Sequence, residues 1–345
     1  MRSFLLRAAA AACACALSLG APPGQLGYSV SADGTSYAVT MDGTAWLQSS
    51  RAAYIIRSGG QTLSTANGGL TFDSAPTPSS GSDALGAWSG AAVSFNSGLF
   101  VATFKLYAGR NALSLEQRFP RGLAGMALDV TAADADLTTA FPAFKSPEAG
   151  KLAYVSWTNC MCNGNVGIYG GNGQGANIGP ESGPLALYNA AGVALVLSPG
   201  SAFMTGQLAH ANIVNDTGCL ASGHNGMVTD VPAGWTYDTL FVGGASVNDT
   251  TLAWGDALLA RTGKTRTKAD ADLVVSTLGY WTDNGALYLA NLQPLLSPIQ
   301  GGEGCPSLRR STLAATKTPS RPRARATQEL SITICPRWER RCKTR

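Results

Sequence analysis

Two Asp-Gly pairs, Asp33-Gly34 and Asp42-Gly43, each stand between short runs of β-prone residues. Asp-Gly readily supplies the left-handed backbone positions that a tight hairpin turn needs, so these pairs predict antiparallel strands on either side. Ser58-Gly59-Gly60 and Asn67-Gly68-Gly69 repeat the punctuation. The chain has 41 glycines in 345 residues, and only 13% of its residues are charged. That charge share excludes a coiled coil, which needs Glu/Lys-rich heptads, and an acidic or basic disordered chain. No apolar run beyond the N-terminus reaches the length of a membrane-spanning helix.

The clearest pattern covers residues 100–119. Phe100, Ala102, Phe104 and Leu106 alternate with Thr103 and Lys105, which predicts a strand with one inward face. After a turn at Ala108-Gly109-Arg110, Leu113, Leu115 and Phe119 alternate with Ser114, Glu116 and Arg118. Residues 184–197 read as two strands around Ala190-Ala191-Gly192, and residues 227–247 as two more around Pro232-Ala233-Gly234. Many short strands at this spacing predict a mainly β fold, a β-sandwich. Residues 121–180 are less regular.

Residues 249–262 predict a helix. Asn248 or Asp249 can cap it, Leu252, Leu258 and Leu259 recur on one face, and Gly263 stands where a C-terminal glycine belongs. Two glycine-containing segments invite a phosphate-loop reading and fail it. Gly170–Gly175 is followed by no Lys-Ser/Thr pair, and Gly263-Lys264-Thr265 has Leu258 where the motif needs glycine. No cofactor is implied.

The net charge of +4 joins two regions of opposite sign. Residues 1–300 hold 14 basic and 18 acidic side chains, and residues 301–345 hold 11 basic and three acidic ones. The body therefore offers no broad nucleic-acid surface. Residues 1–21 read as a secretory signal, with Arg2 and Arg7 ahead of the apolar stretch Ala8–Leu19. In an oxidising compartment a disulfide joins Cys219 to Cys160 or Cys162. The alternative, zinc held by these cysteines with His210 and His224, lacks any standard ligand spacing. Asn215 and Asn248 begin glycosylation sequons. Trp46, Trp88, Trp157 and Trp235 fit a sugar-stacking platform or, more simply, the sandwich core.

Beyond a polar stretch, the apolar run Leu273–Gly279 ends in Tyr280, Trp281, Asp283, Asn284 and Gly285. A strand with a polar-aromatic cluster at its C-terminal end suits the first strand of a parallel barrel, whose sites lie there. Another sandwich strand closed by an Asp-Asn-Gly turn suits it too.

The segment Leu278–Ala286 resembles the signature of a group of secreted algal, oomycete and protist proteins on the raffinose-synthase and α-galactosidase side of the glycoside hydrolases. Ser82–Trp88, Glu116–Pro120, Phe141–Phe144, Leu195–Pro199, Val231–Gly234 and Trp254–Ala257 resemble the same group, in order, across about residues 28–290. The resemblance implies a galactose-mutarotase-like β-sandwich (22–247), a helical linker (248–272) and a catalytic (β/α)₈ barrel whose first strand falls in 273–290. Carried over, Trp281 stacks on a sugar, Asp283 accepts its hydroxyls, and Tyr280 and Asn284 are weaker contacts. The expected partner is carbohydrate.

The chain then departs from that pattern. Only 62 residues follow Asp283, whereas a barrel takes about 250. Residues 291–345 are rich in Pro, Arg and Ser and read as a disordered basic tail. The expectation is a non-catalytic N-terminal portion of a glycoside-hydrolase-like protein, its barrel otherwise missing, from a truncated or frameshifted gene. The alternative is a stand-alone secreted carbohydrate-binding or interaction module. Mass spectrometry of secreted material is expected to place the mature N-terminus near residue 17 or 21. An intact stretch from Met1 to Gly20 would contradict the signal.

Overall fold

The computed structural model describes residues 23–128, 137–145, 151–158, 163–170, 184–213, 216–266 and 276–277. The chain divides into two units, Met1–Arg266 and Thr267–Arg345. The strands and the long helix belong to the first. Apart from Ser276 and Thr277, the expected barrel strand and tail lie outside the described residues.

The fold is mainly β. Strands β1 (Leu26–Val30), β2 (Tyr37–Met41) and β3 (Thr44–Gln48) form an antiparallel sheet. Its second turn is Asp42-Gly43, with Met41 opposite Thr44 and φ of +51° and +76° at the two turn residues. Both left-handed positions are those the Asp-Gly pair was expected to fill. Gly59 and Gly60 do the same, at φ +55° and +76°, between β4 (Ile55–Ser58) and β5 (Gln61–Ser64).

Four long strands then run as a meander: β6 (Thr77–Asp83), β7 (Gly86–Phe95), β8 (Phe100–Tyr107) and β9 (Ala112–Phe119). Two short strands follow, β10 (Thr139–Ala140) and β11 (Ala143–Phe144), and then β12 (Leu152–Thr158), β13 (Asn163–Tyr169), β14 (Leu185–Tyr188) and β15 (Ala194–Pro199). The last strands are β16 (Gly206–Ile213), β17 (Asp216–His224) and β18 (Trp235–Gly244), ahead of the helix α1 (Val247–Thr262). Nine strands make one sheet, in the order β13-β12-β14-β15-β18-β9-β8-β7-β6. The smaller sheets β1-β2-β3, β10-β4-β5 and β11-β17-β16 adjoin one another through residues 137–144. That segment runs along β17 from Leu137 opposite Asn225 to Phe144 opposite Leu220, and it also pairs with β4 and with Ser49.

Between the two layers lies one large apolar cluster, including Tyr37, Tyr54, Phe95, Phe100, Phe104 and Phe141. Phe100, Ala102 and Phe104 point into it as expected, while Leu106 is half-buried at its margin. The opposite face of the sheet is not simply solvated. Thr103 and Ser114 are buried, and Tyr107, Ala112, Leu240 and Val242 form a second cluster with Leu85 and Ala257. The central strands are thus covered on both faces, the second time by α1.

Two expectations need correction. Residues 227–247 hold one strand, β18, rather than two, and Val231 makes only an isolated bridge to Leu123. The helix begins earlier than expected, and its N-cap is Ser246. The Ser246 hydroxyl accepts from the Asp249 amide at 3.1 Å and donates to the Asp249 carboxylate at 2.8 Å, a reciprocal cap. The helix also turns a partly different face inward. Thr250 and Ala257 are buried and Trp254 and Leu258 pack beside them, whereas Leu252 is 49% exposed. The approach is close at Thr250, where a Cβ on Gly244 would stand 2.4 Å from the Thr250 hydroxyl. Gly263 ends the helix at φ +65°, as its position implied.

His224 is fully buried among Phe119, Trp235 and Tyr237. The Trp235 indole N–H donates to Nε2 at 2.8 Å, so the ring proton sits on Nδ1, 3.0 Å from the Thr139 hydroxyl. Burial pushes its pKa down to about 4.

Two outcomes follow from this packing. A Cβ on Gly90 would fall 1.6 Å from the Phe104 carbonyl oxygen, so Gly90→Ala must part β7 from β8. The expected cost is about 3 kcal/mol, a fall of roughly 6–12 °C in Tm by calorimetry. For His224, the unfolded chain binds the extra proton below pH 6.5 and the folded chain only near 4. Stability present above pH 6.5 is therefore lost on acidification toward pH 4, by about 3 kcal/mol. Urea titrations at pH 7 and 4.5 check this, because His224→Gln should lack that share of the pH dependence. Equal pH dependence in the two proteins would refute it.

Candidate functional site

Tyr280, Trp281, Asp283 and Asn284 lie outside the described residues, as do Asn215, Cys160 and Cys162. Cys219 is buried on β17, and Asn248 is exposed in the first turn of α1. His210 lies on β16. Both ring nitrogens of His224 are engaged within the core, which leaves neither for a metal. Among the described residues no group of three or more His, Cys, Asp or Glu is placed to hold a metal ion. The four tryptophans do not gather. Trp46 and Trp235 pack on the main core, Trp88 on the cluster under α1, and Trp157 lies on β12.

What does gather is a polar cleft of about 170 Å³ on the outer face of the large sheet, at the C-terminal end of α1. Pairing sets its floor. Asp238 on β18 is directly opposite Glu116 on β9, which is opposite Thr103 on β8, and elsewhere on the same pair of strands Ser114 is opposite Lys105. The wall is the β6–β7 turn, where Asp83 accepts from the Leu85 amide at 2.9 Å and from the Tyr107 hydroxyl at 2.7 Å. Burial, and then that bond to Asp83, raise the pKa of Tyr107.

Asp238 is the hub. It is 6% exposed, and its Oδ2 accepts from the Ser114 hydroxyl at 2.7 Å and pairs with Arg261 of α1. Arg261 Nη1 also donates to the Gly200 carbonyl at 3.1 Å, and the Asp238 amide donates to Ser201 Oγ at 3.1 Å. Burial alone would lower the pKa of Arg261, but the adjacent Asp238 carboxylate, together with Tyr107 and Asp83, outweighs it and holds it above its usual value. Gly200 makes the arrangement possible, since a Cβ there would stand 2.6 Å from Arg261 Nη1 and 2.7 Å from Asp238 Oδ2. Lys105 pairs with Glu116 at 2.5 Å, and its ammonium lies 5.2 Å from the centre of the Trp88 ring.

A larger hollow of about 380 Å³ lies beside it, lined by Phe203, Leu258 and Leu259 among others. It is apolar and has little chemistry to offer. The polar cleft provides hydrogen-bond donors and acceptors, with each carboxylate's charge already met by a donor. Two of the six upstream motif segments line it. Ser82–Trp88 contributes Asp83, and Glu116–Pro120 contributes Glu116. Two others meet elsewhere, under α1, where the Trp254 indole N–H donates to Ser198 Oγ at 2.9 Å. Sequence reading missed Asp238 and Arg261, because no local pattern joins Asp238 to Ser114, 124 residues away.

Among the described residues no helix is long and apolar enough to cross a membrane. No protein-family model matches the sequence. No curated protein matches it. Several solved structures are similar in part. A glycoside hydrolase family 97 enzyme from Pseudoalteromonas sp. has a TM-score of 0.41 at 11% identity, over 64% of this chain and 34% of that one. An α-N-acetylgalactosaminidase from Bifidobacterium bifidum has a TM-score of 0.44 at 8% identity, over 69% of this chain and 38% of that one. A bacterial glucoamylase has a TM-score of 0.31 at 8% identity, over 67% and 34%. This chain thus spans little more than a third of the length of each enzyme.

Proposed function

We propose that residues 23–266 are the non-catalytic β-sandwich portion of a secreted, glycoside-hydrolase-like protein. The observation that carries this reading is a sandwich in which two separate motif segments that share a family resemblance, Ser82–Trp88 and Glu116–Pro120, line one cleft beside α1. Secretion rests on the charged start and apolar stretch of residues 1–21. A Cys219 disulfide to Cys160 or Cys162, and glycans at Asn215 and Asn248, belong to the same proposal.

The chemistry of the cleft supports the word non-catalytic. Retaining cleavage of a glycosidic bond uses two carboxyl groups about 5–5.5 Å apart, one able to give a proton and one free to attack. Here Asp238 is committed to Arg261 and Ser114, Glu116 to Lys105, and Asp83 to Tyr107. A second reading, a stand-alone carbohydrate-binding module, is favoured by the same mixture of donors and acceptors.

The test is turnover by the 345-residue chain of nitrophenyl α-galactoside, α-glucoside and α-N-acetylgalactosaminide. No release above background is expected, and Asp283→Ala should change nothing. Turnover that disappears in Asp283→Ala would overturn the non-catalytic reading.

A further inference from the structure

The cleft holds more hydrogen-bonding capacity than the protein uses. Among the described residues, only Oδ2 of Asp238 is engaged, and Glu116 is engaged through Oε2 alone. A carboxylate accepts at both oxygens, so Asp238 Oδ1 and Glu116 Oε1 are open acceptors on the cleft. Asp238 is 6% exposed, so its second oxygen can be reached only from the cleft. Lys105 uses one of three donors, and the exposed hydroxyl of Thr236 completes the lining.

The charges exclude most ligands. Asp83, Glu116 and Asp238 would repel an anion, and Lys105 and Arg261 would repel a metal ion. Glu116 and Asp238 are ion-paired with Lys105 and Arg261, and Asp83 is held by the Tyr107 hydroxyl and the Leu85 amide, so a neutral ligand suits the floor of the cleft. It must offer several donors and several acceptors at once. The volume of about 170 Å³ lies below the usual range for drug-sized ligands, so one saturated ring fits better than an oligomer or a large cofactor.

We infer that this cleft binds a single neutral hexopyranose unit, free or at the end of a glycan, between Glu116, Asp238, Lys105 and Thr236. The inference rests on the reading of the chain as carbohydrate-binding and adds the place and the size of the ligand. Carboxylate oxygens accept from ring hydroxyls, while the ammonium and the Thr236 hydroxyl donate to them.

Saturation-transfer NMR on the 345-residue chain tests it. The probes are methyl α-D-galactopyranoside and methyl α-D-glucopyranoside, with glucuronate and glycerol as charged and acyclic controls. Transfer to the ring protons of at least one glycoside is expected, with weaker transfer to both controls. Glu116→Gln and Thr236→Val, each first shown to keep the wild-type circular dichroism and Tm within a few degrees, should each weaken binding roughly tenfold. Glycoside binding that is unchanged in both variants would overturn the cleft while leaving carbohydrate binding by the chain intact. Absence of transfer from every glycoside would overturn both, and a preference for glucuronate would overturn the neutral ligand.

Discussion

Phe141 holds the two layers of the sandwich together. Its ring stacks on Tyr54 at 5.3 Å and meets Tyr37 at 5.4 Å and Phe104 at 5.3 Å edge-on. Phe104 comes from the large sheet, whereas Tyr37 comes from the opposing layer. Aromatic contacts of this kind add to area burial and fix relative orientation. A polar tie crosses at the same place. The amide of Gln117, on β9, donates to the Phe141 carbonyl at 2.7 Å and to the Ser222 carbonyl at 3.1 Å. Truncating Gln117 would leave two buried acceptors without those donors, so the tie sets register as well as adhesion.

With the inner face so fixed, the outer face of the same strands becomes the surface available for other work. Along β18, β9 and β8 it changes character within a few residues. Val242, Ala112 and Tyr107 lie in the apolar cluster with Ala257 of α1, whereas Asp238, Glu116 and Lys105 line the polar cleft. One helix therefore has an apolar contact along its length and an ion pair at its end. The Thr250 approach to Gly244 sets the depth of that contact, and Arg261 sets where it ends.

Local turn chemistry was legible, because Asp42-Gly43 and Gly59-Gly60 need no partner from elsewhere to demand left-handed backbone. The β8–β9 hairpin was legible for the same reason, with Phe104 opposite Leu115 continuing one alternating pattern. Strands β12 and β13 were not. Residues 121–180 read as irregular, yet Gly164 and Gly167 stand in β13, and the space beside them is filled from the neighbouring strand. The Trp157 indole lies 4.0 Å from where a Gly164 Cβ would be, and the Tyr154 ring 3.0 Å from that of Gly167. Aromatic cover of this kind restores the packing that glycine lacks, and no periodicity count detects it. The helix face was legible only in part: Leu258 packs inward as expected, but Leu252 does not, and Thr250 takes the close approach to the sheet. Of the candidate site, Glu116 and Asp83 stand in recognisable segments, but the residue at its hub is Asp238, from a strand far along the chain.

The position of Asp238 explains why a charge is kept so far from water. A nearly buried carboxylate is costly unless it is paired, and pairing with Arg261 is at best a modest source of stability compared with an apolar substitute. Its value lies in uniqueness of geometry. Ser114 orients one oxygen, Arg261 meets that same oxygen from α1, and the backbone amide of Asp238 binds Ser201. Gly200 leaves room for only this approach, because any Cβ would strike both partners. Three separate segments, the sheet, the 200–201 turn and the end of α1, are thereby held in one relative placement. An apolar replacement could bury as much surface without specifying which turn of the helix faces the cleft. The same constraint keeps the second oxygen of Asp238 pointing at the opening, so the device that positions the helix also presents the acceptor.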